Sequence, residues 1–397
     1  MAFSRTVIIA GAGIGGLAAA LAIAQRGFRV ALFDQTQRLE ETGAGIQLSP
    51  NASRILIALG LEPQLRQYVV TPQELRVMNA RTDQVLARAP LGSVAEKRYG
   101  APYWVIHRGD LQAVLIDAVR AIPDITVHLG TRLADFAFHQ NGVTVSTVSS
   151  QRTGEERGMA LIGADGLWSS LRGRLGQRGE PRFARHTAWR ALAPADAVVP
   201  DLRTPAVNLW LGRHAHLVHY PVRAGSLVNI VAIIRDSWRE PGWSAPGDRA
   251  ELLARYRAGM WPVGARALLA APQTWRKWAL YDRAPFTPWG KGPVTLLGDA
   301  AHPMLPYLAQ GAAAAIEDAA VLARRLTEMP ADPGGAMRLY ESDRRRRTAR
   351  IQRAARRNGR VYHMAGAEAF LRTLALIAMG GGRMLARYDW LYGWKPG

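Results

Sequence analysis

Cysteine is absent from all 397 residues. A disulfide scaffold, a thiolate metal site and a redox-active dithiol are therefore excluded, and the composition fits a reducing cytoplasm. Lysine is scarce, confined to Lys97, Lys277, Lys291 and Lys395, so arginine carries nearly all of the formal net charge of +20. A field of that sign attracts nucleic acid, anionic membrane or small anions. Charge of either sign is missing from TVIIAGAGIGGLAAALAIAQ, residues 6–25. That run has the length of a bilayer span, and the basic residue before it gives it the look of an export signal. Four glycines in its middle, Gly11, Gly13, Gly15 and Gly16, open a third reading, a nucleotide site.

Apolar residues make up 48% of the chain, enough to build a large core and to set disorder aside. Residues 6–10 are short, rich in Val and Ile and closed by glycine, which reads as a buried strand. Residues 17–25, mostly Ala and Leu, read as a helix that Gly27 breaks. Residues 30–33 form a second apolar strand ending at Asp34. Inside this βαβ unit, Gly11 to Gly16 fit G-x-G-x-x-G. Gly11 allows the tight turn, Gly13 lets backbone approach a pyrophosphate, and Gly16 lets helix and strand pack closely. The free N–H groups of the helix start then face the phosphates. Asp34, 18 residues after Gly16, is placed to accept hydrogen bonds from ribose hydroxyls. The same features argue against a membrane span, and this motif alone does not separate FAD from NAD.

Further along, residues 49–60 read as a helix with Ser49 at its cap and Pro50 in its first turn. Asn141-Gly142 sits between alternating runs and predicts a hairpin. From about residue 182 to 284 tryptophans and strand-like runs become frequent, which points to a β-rich layer inserted in the first fold. Residues 344–360, RRRRTARIQRAARRNGR, read as the solvated face of a long helix, the alternative being a nucleic-acid surface.

Two more motifs stand far downstream: GADGLWSSLR at 163–172 and LLGDAAHPMLPYLAQGAAAAIEDAAVLARRL at 296–326. With GAGIGG, HRGDL at 107–111, GAGIQLSPN at 43–51 and HLVHYPVR at 216–223, the chain resembles the single-component FAD-dependent aromatic hydroxylases, the group of salicylate, 3-hydroxybenzoate and 6-hydroxynicotinate hydroxylases. The resemblance covers nearly the whole chain. It implies an α/β fold with a Rossmann-like FAD-binding domain of the glutathione-reductase type, an inserted mixed-sheet substrate domain and C-terminal helices. On that pattern 1–72, 101–181 and 285–330 form the FAD domain, 73–100 and 182–284 the substrate domain, and 331–397 the helical end.

The resemblance also implies FAD contacts at Gly11, Gly13, Ile14, Gly15, Gly16, Asp34, Gln35, Gly45, Gln47, Arg108, Leu133, Asp165, Gly298, Asp299, Pro306, Gly311 and Ala312. Asp299 would hold the ribityl chain, Arg108 the flavin and pyrophosphate. Amides from Pro306 to Ala312 would meet the pyrimidine edge where charge develops. NADH or NADPH would reduce the flavin without a Rossmann domain of its own, and O₂ would add as a C4a-hydroperoxide that attacks an electron-rich ring. His219, Tyr307 and Gln47 are the catalytic candidates, His219 sharing a strand face with Leu217. Gln47 stands where the hydroxynicotinate enzymes carry histidine. No metal, nucleic acid or membrane partner is expected; a cytoplasmic homodimer is. The alternative is a flavin oxidoreductase of the same fold that inserts no oxygen.

Overall fold

Short apolar runs flanked by glycine become parallel strands here because both faces of the sheet are covered, one by helices and the other by a three-stranded antiparallel sheet. The computed structural model describes residues 5–39, 44–150, 152–177, 179–240, 242 and 244–397; Gly43, at the head of GAGIQLSPN, lies outside them. Five strands run parallel in the order Val294–Leu296, Ala160–Gly163, Thr6–Ala10, Arg29–Phe33, Ile125–His128. The helix Ile14–Ala24 follows Thr6–Ala10 and packs against Arg108–Arg120 and Gly311–Glu328. Its Ala and Leu side chains are buried on every side, which explains the uncharged run at 6–25. No helix among the described residues is long and apolar enough to cross a membrane.

Eight strands form a second, mixed sheet in the order Ala245–Gly247, Trp275–Asp282, Arg182–Pro194, Leu227–Arg235, Ala215–Val222, Ala206–Gly212, Glu74–Asn79, Val85–Pro90. All its pairs are antiparallel except Ala206–Gly212 with Glu74–Asn79. One face of this sheet buries Trp189, Trp210 and Trp275 in a core of its own with Trp261. A three-stranded sheet contains the hairpin of Thr131–His139 with Gly142–Ser149. Gly45–Leu48 pairs with Trp104–His107 and bridges the two large sheets.

The helix Pro333–Tyr362 departs from its sequence reading. Ala336, Met337, Tyr340, Arg344, Thr348, Ile351, Ala355 and Gly359 are buried along one stripe at helical spacing. The first arginine of the basic run is therefore not solvated. Arg344, 1% exposed in its side chain, bonds Glu317 and Asp318 at 2.7 Å each, and Arg347 bonds Glu317. Periodicity explains this: the run is longer than one face, so part of it must turn inward, and inward charge requires partners.

Candidate active site

The first cradle is built at the end of Thr6–Ala10. Gly11 has φ +110°, and a Cβ there would stand 2.3 Å from the Ala164 carbonyl oxygen. A Cβ on Gly16 would stand 1.9 Å from the Gly11 oxygen, so only glycine lets the helix start this close to the strand. Gly13 faces open space, with nothing within 4 Å of its Cβ direction. It caps the helix with no side-chain acceptor, leaving first-turn N–H groups free for an anion. Asp34 accepts from the Ala12 amide at 2.7 Å and from Thr36 at 2.6 and 2.8 Å, which fixes its carboxylate beside this turn. Gln35 is exposed next to it. The Thr131 amide donates to the Asp34 carbonyl, and Leu133 lies buried two residues on.

A second cradle faces the first. Arg108 opens the helix Arg108–Arg120, and Asp299 sits in the tight turn Gly298–Ala300. Both line a cleft of about 380 Å³ together with Gly13, Ile14 and Gly15, a size suited to a ligand. Neither side chain has a hydrogen-bond or ion-pair partner among the described residues. Burial pushes the Asp299 carboxyl up, while His302 and Arg108 pull it down. Burial likewise lowers Arg108, against the pull of Asp299. Two ionisable groups facing an open cleft without protein partners are what a polar ligand would satisfy.

The turn under Asp299 is held from below. Asp318 accepts from the Gly298 amide at 3.0 Å and contacts His302 Nε2 at 2.5 Å. Burial raises Asp318, yet His302 and Arg344 outweigh it and keep the carboxylate ionised. Pro306, Gly311 and Ala312 line the cleft, and Gln310 pins their loop. Its Nε2 donates to Ser49 Oγ at 2.9 Å, and its Oε1 accepts from Asn51 Nδ2 at 3.1 Å. Ser49 thus spends its side chain on this network instead of capping its helix. Asp165 does not line the cleft; it accepts from the Leu171 amide at 3.2 Å, at the start of Ser170–Arg174. Arg172 donates to the carbonyls of Leu167 and Ala300, tying the two downstream motifs together.

The third wall is the mixed sheet. His216, Val218 and Tyr220 face the cleft from Ala215–Val222, with Val231, Ile233, Trp278 and Leu280 beside them. His219 does not, which corrects the expected placement: alternation turns it to the opposite face, where Trp210 Nε1 donates to its Nδ1 at 3.2 Å. Gln47 lines the cleft beside Tyr220 and accepts from Tyr103 Oη at 2.6 Å. Gly45 makes room for Tyr220, whose ring would lie 2.5 Å from a Cβ at residue 45. Tyr307 is buried behind the wall, its ring edge-on to His186 and His363. Arg190 lines the cleft with its guanidinium 3.4 Å from the Trp278 ring centre. Burial, with Arg108 nearby, lowers it to about 9.

His216, Tyr220, Arg190, Gln310 and Asn51 are the residues the sequence reading missed. A signal for two of them was present: Tyr220 and His216 share a strand face, and the stretch HLVHYP offered a choice of histidines that only the sheet's orientation resolves. The cradle with free helix amides, the fixed Asp34, the unpartnered Arg108 and Asp299, and the loop amides at Gly311 and Ala312 together suit FAD.

Comparison with known proteins agrees. Residues 4–357 match the family described as FAD binding domain. The chain is 38% identical over 395 residues to 3-hydroxybenzoate 6-hydroxylase of Klebsiella oxytoca, covering 100% of this chain and 98% of that protein. Its fold is similar to Klebsiella pneumoniae HpxO complexed with FAD and uric acid, with TM-score 0.85, 26% identity, and 98% and 96% of the two chains covered. It is also similar to a salicylate hydroxylase substrate complex, with TM-score 0.81, 26% identity, and 99% and 96% covered. With the glycine turn, the Gly298-Asp299 turn and the cleft between them all inside the matched span, the chain belongs to the FAD binding domain family.

Proposed function

We propose that this protein is an FAD-dependent monooxygenase that uses NAD(P)H and O₂ to hydroxylate a small phenolic or N-heteroaromatic acid. One observation carries the reading: a single cleft joins a dinucleotide cradle to an apolar sheet wall bearing His216 and Tyr220. Gly13, Gly15 and the helix start would hold the pyrophosphate, Asp34 the ribose, Arg108 the phosphates and Asp299 the ribityl hydroxyls. The amides of Gly311 and Ala312 would face the ring edge that gains negative charge. Bound FAD supplies electron transfer from NAD(P)H and activation of O₂.

The chain's own residues do the rest. Val218, Val231, Ile233 and Leu280 keep the reacting ring dry. Gln47 is held by Tyr103 and stands beside the phenol of Tyr220 in the cleft wall. His216 is the base facing the substrate's hydroxyl; deprotonation makes the ring the better nucleophile. Tyr307 packs against His216 from behind and holds its ring. The compounds named with the relatives, 3-hydroxybenzoate, uric acid and salicylate, are small planar ring compounds, which supports the substrate class. Dependence on NAD(P)H supports a cytoplasmic setting. The exposed stripe of Phe370, Leu371, Leu374 and Ile377 supports a homodimer.

The test is turnover of the purified yellow protein with salicylate, hydroxybenzoates and hydroxynicotinates under ¹⁸O₂. The expected result is NAD(P)H oxidation and product carrying one ¹⁸O. Product without label would replace the reading with an oxidoreductase that inserts no oxygen, and a protein that cannot take up FAD would end it.

A further inference from the structure

Four arginines, Arg185, Arg235, Arg239 and Arg255, line a second pocket of about 360 Å³ together with Phe183 and Asp236. Strand pairing brings them together. His186 stands opposite Arg235 where Arg182–Pro194 begins and Leu227–Arg235 ends, and the Asp236 amide donates to the Arg185 carbonyl. Arg239 follows on the same segment, and Arg255 ends the helix Arg249–Arg255. The side chains of Arg185, Arg235 and Arg239 are exposed and have no acid partner among the described residues. Other exposed arginines do pair: Arg66 with Glu62, Arg88 with Glu74, Arg98 with Asp389. Asp236 is the acid in the pocket lining; its Oδ1 accepts from the Ser237 and Trp238 amides and stands 3.8 Å from Arg255. One carboxylate against four guanidinium groups leaves the pocket positive, and clustered like charges are relieved when an anion enters.

The pocket shares a wall with the mouth of the flavin cleft. Tyr281 lines the cleft, its ring centre is 5.8 Å from that of Phe183, and its Oη donates to the Arg239 carbonyl. On its other side Tyr281 meets Trp168 at 5.1 Å, edge to face. Trp168 also lines the cleft and is 40% exposed. Gly242, on the segment that carries Asp236 and Arg239, lines the cleft as well.

We propose that this arginine pocket binds the phosphates of the nicotinamide dinucleotide, whose nicotinamide ring enters the cleft past Trp168 and Tyr281. This rests on the hydroxylase reading above. In that reading the glycine turn and Arg108 hold the phosphates of FAD, and the sequence has one such turn. The second dinucleotide therefore needs donors of its own. Guanidinium forks match phosphate oxygens in shape and charge, and the exposed Trp168 offers a ring face for stacking. Exposed side chains at a cleft mouth suit a ligand that arrives and leaves in each turnover.

The test uses the FAD-loaded full chain and the double variant Arg235→Gln/Arg239→Gln. ADP-ribose, which carries the diphosphate without the nicotinamide, is the calorimetric probe. The variant is expected to bind it about tenfold more weakly or worse, because hydrogen bonds to charged groups are lost. The KM for NADH or NADPH should rise to the same degree, with kcat and the flavin spectrum unchanged. Flavin reduction by a benzyl-dihydronicotinamide, which has no phosphate, should stay as in the wild type. Arg152 and Arg157 are exposed around the strand Thr153–Gly158. Arg152→Gln/Arg157→Gln removes the same charge there and should leave ADP-ribose binding unchanged. Equal binding by the wild type and the pocket variant would overturn the assignment. So would an equal loss in the control variant, or inorganic phosphate that binds as tightly as ADP-ribose. If no aromatic probe is hydroxylated, the hydroxylase reading is what fails, and the calorimetry still decides the pocket.

Discussion

At the scale of single residues, the glycine turn shows how little freedom the cofactor site leaves. Gly16 has its own chain's carbonyl 1.9 Å from where a Cβ would be. Gly16→Ala must push the helix off the strand and misaim its free amides. Retention of FAD is expected to drop tenfold or more, read from flavin absorbance after gel filtration; an undiminished yellow protein would show that the turn tolerates a methyl group. This site was legible in sequence because Gly11 takes a left-handed turn and Gly16 packs on the Gly11 carbonyl, both needs of one short stretch of backbone. Which histidine faces the cleft was not. His216 and His219 are three residues apart on one strand, and which one meets the cleft depends on the face the sheet presents, a property of the packed layers.

At the scale of elements, the helix Pro333–Tyr362 is the main departure from what the sequence suggests. Its arginines look like a solvated surface, yet Arg344 closes a buried network with Glu317 and Asp318. That network continues through Asp318 to the Gly298 amide and His302, so the helix braces the turn that presents Asp299. Removing one member leaves buried carboxylates uncompensated. Arg344→Met is expected to lower unfolding free energy by about 3 kcal/mol or more, measured by urea titration, and to loosen FAD. A change below about 0.5 kcal/mol would show that Arg347 alone neutralises the pair. Composition could not reveal this, since a charged residue is read as exposed until a partner is known.

At the scale of the whole molecule, the charge of +20 surrounds a cleft that takes anionic ligands. Exposed charges act through salt-screened fields. The KM values for NAD(P)H and for an aromatic carboxylate should therefore rise several-fold between about 0.02 and 0.5 M salt, with kcat steady. A KM that ignores ionic strength would remove steering from the account and leave the arginine bias without a role in binding. The two large sheets meet through the short pair Gly45–Leu48 and Trp104–His107, and it is this junction that brings Gln47 and Arg108 to one cleft.

The sequence by itself determined the βαβ cradle, the Asp34 and Asp299 positions, and the order of motifs that marks an FAD site. These depend on local backbone needs: glycine where no side chain fits, a strand where apolar residues run short, an acid at a strand end. Tertiary structure alone decided that His216 and not His219 meets the cleft, that Arg344 lies in the core, and that His363 reaches back across 147 residues to His216. Those outcomes depend on which face of a strand or helix is covered, and long-range packing sets that.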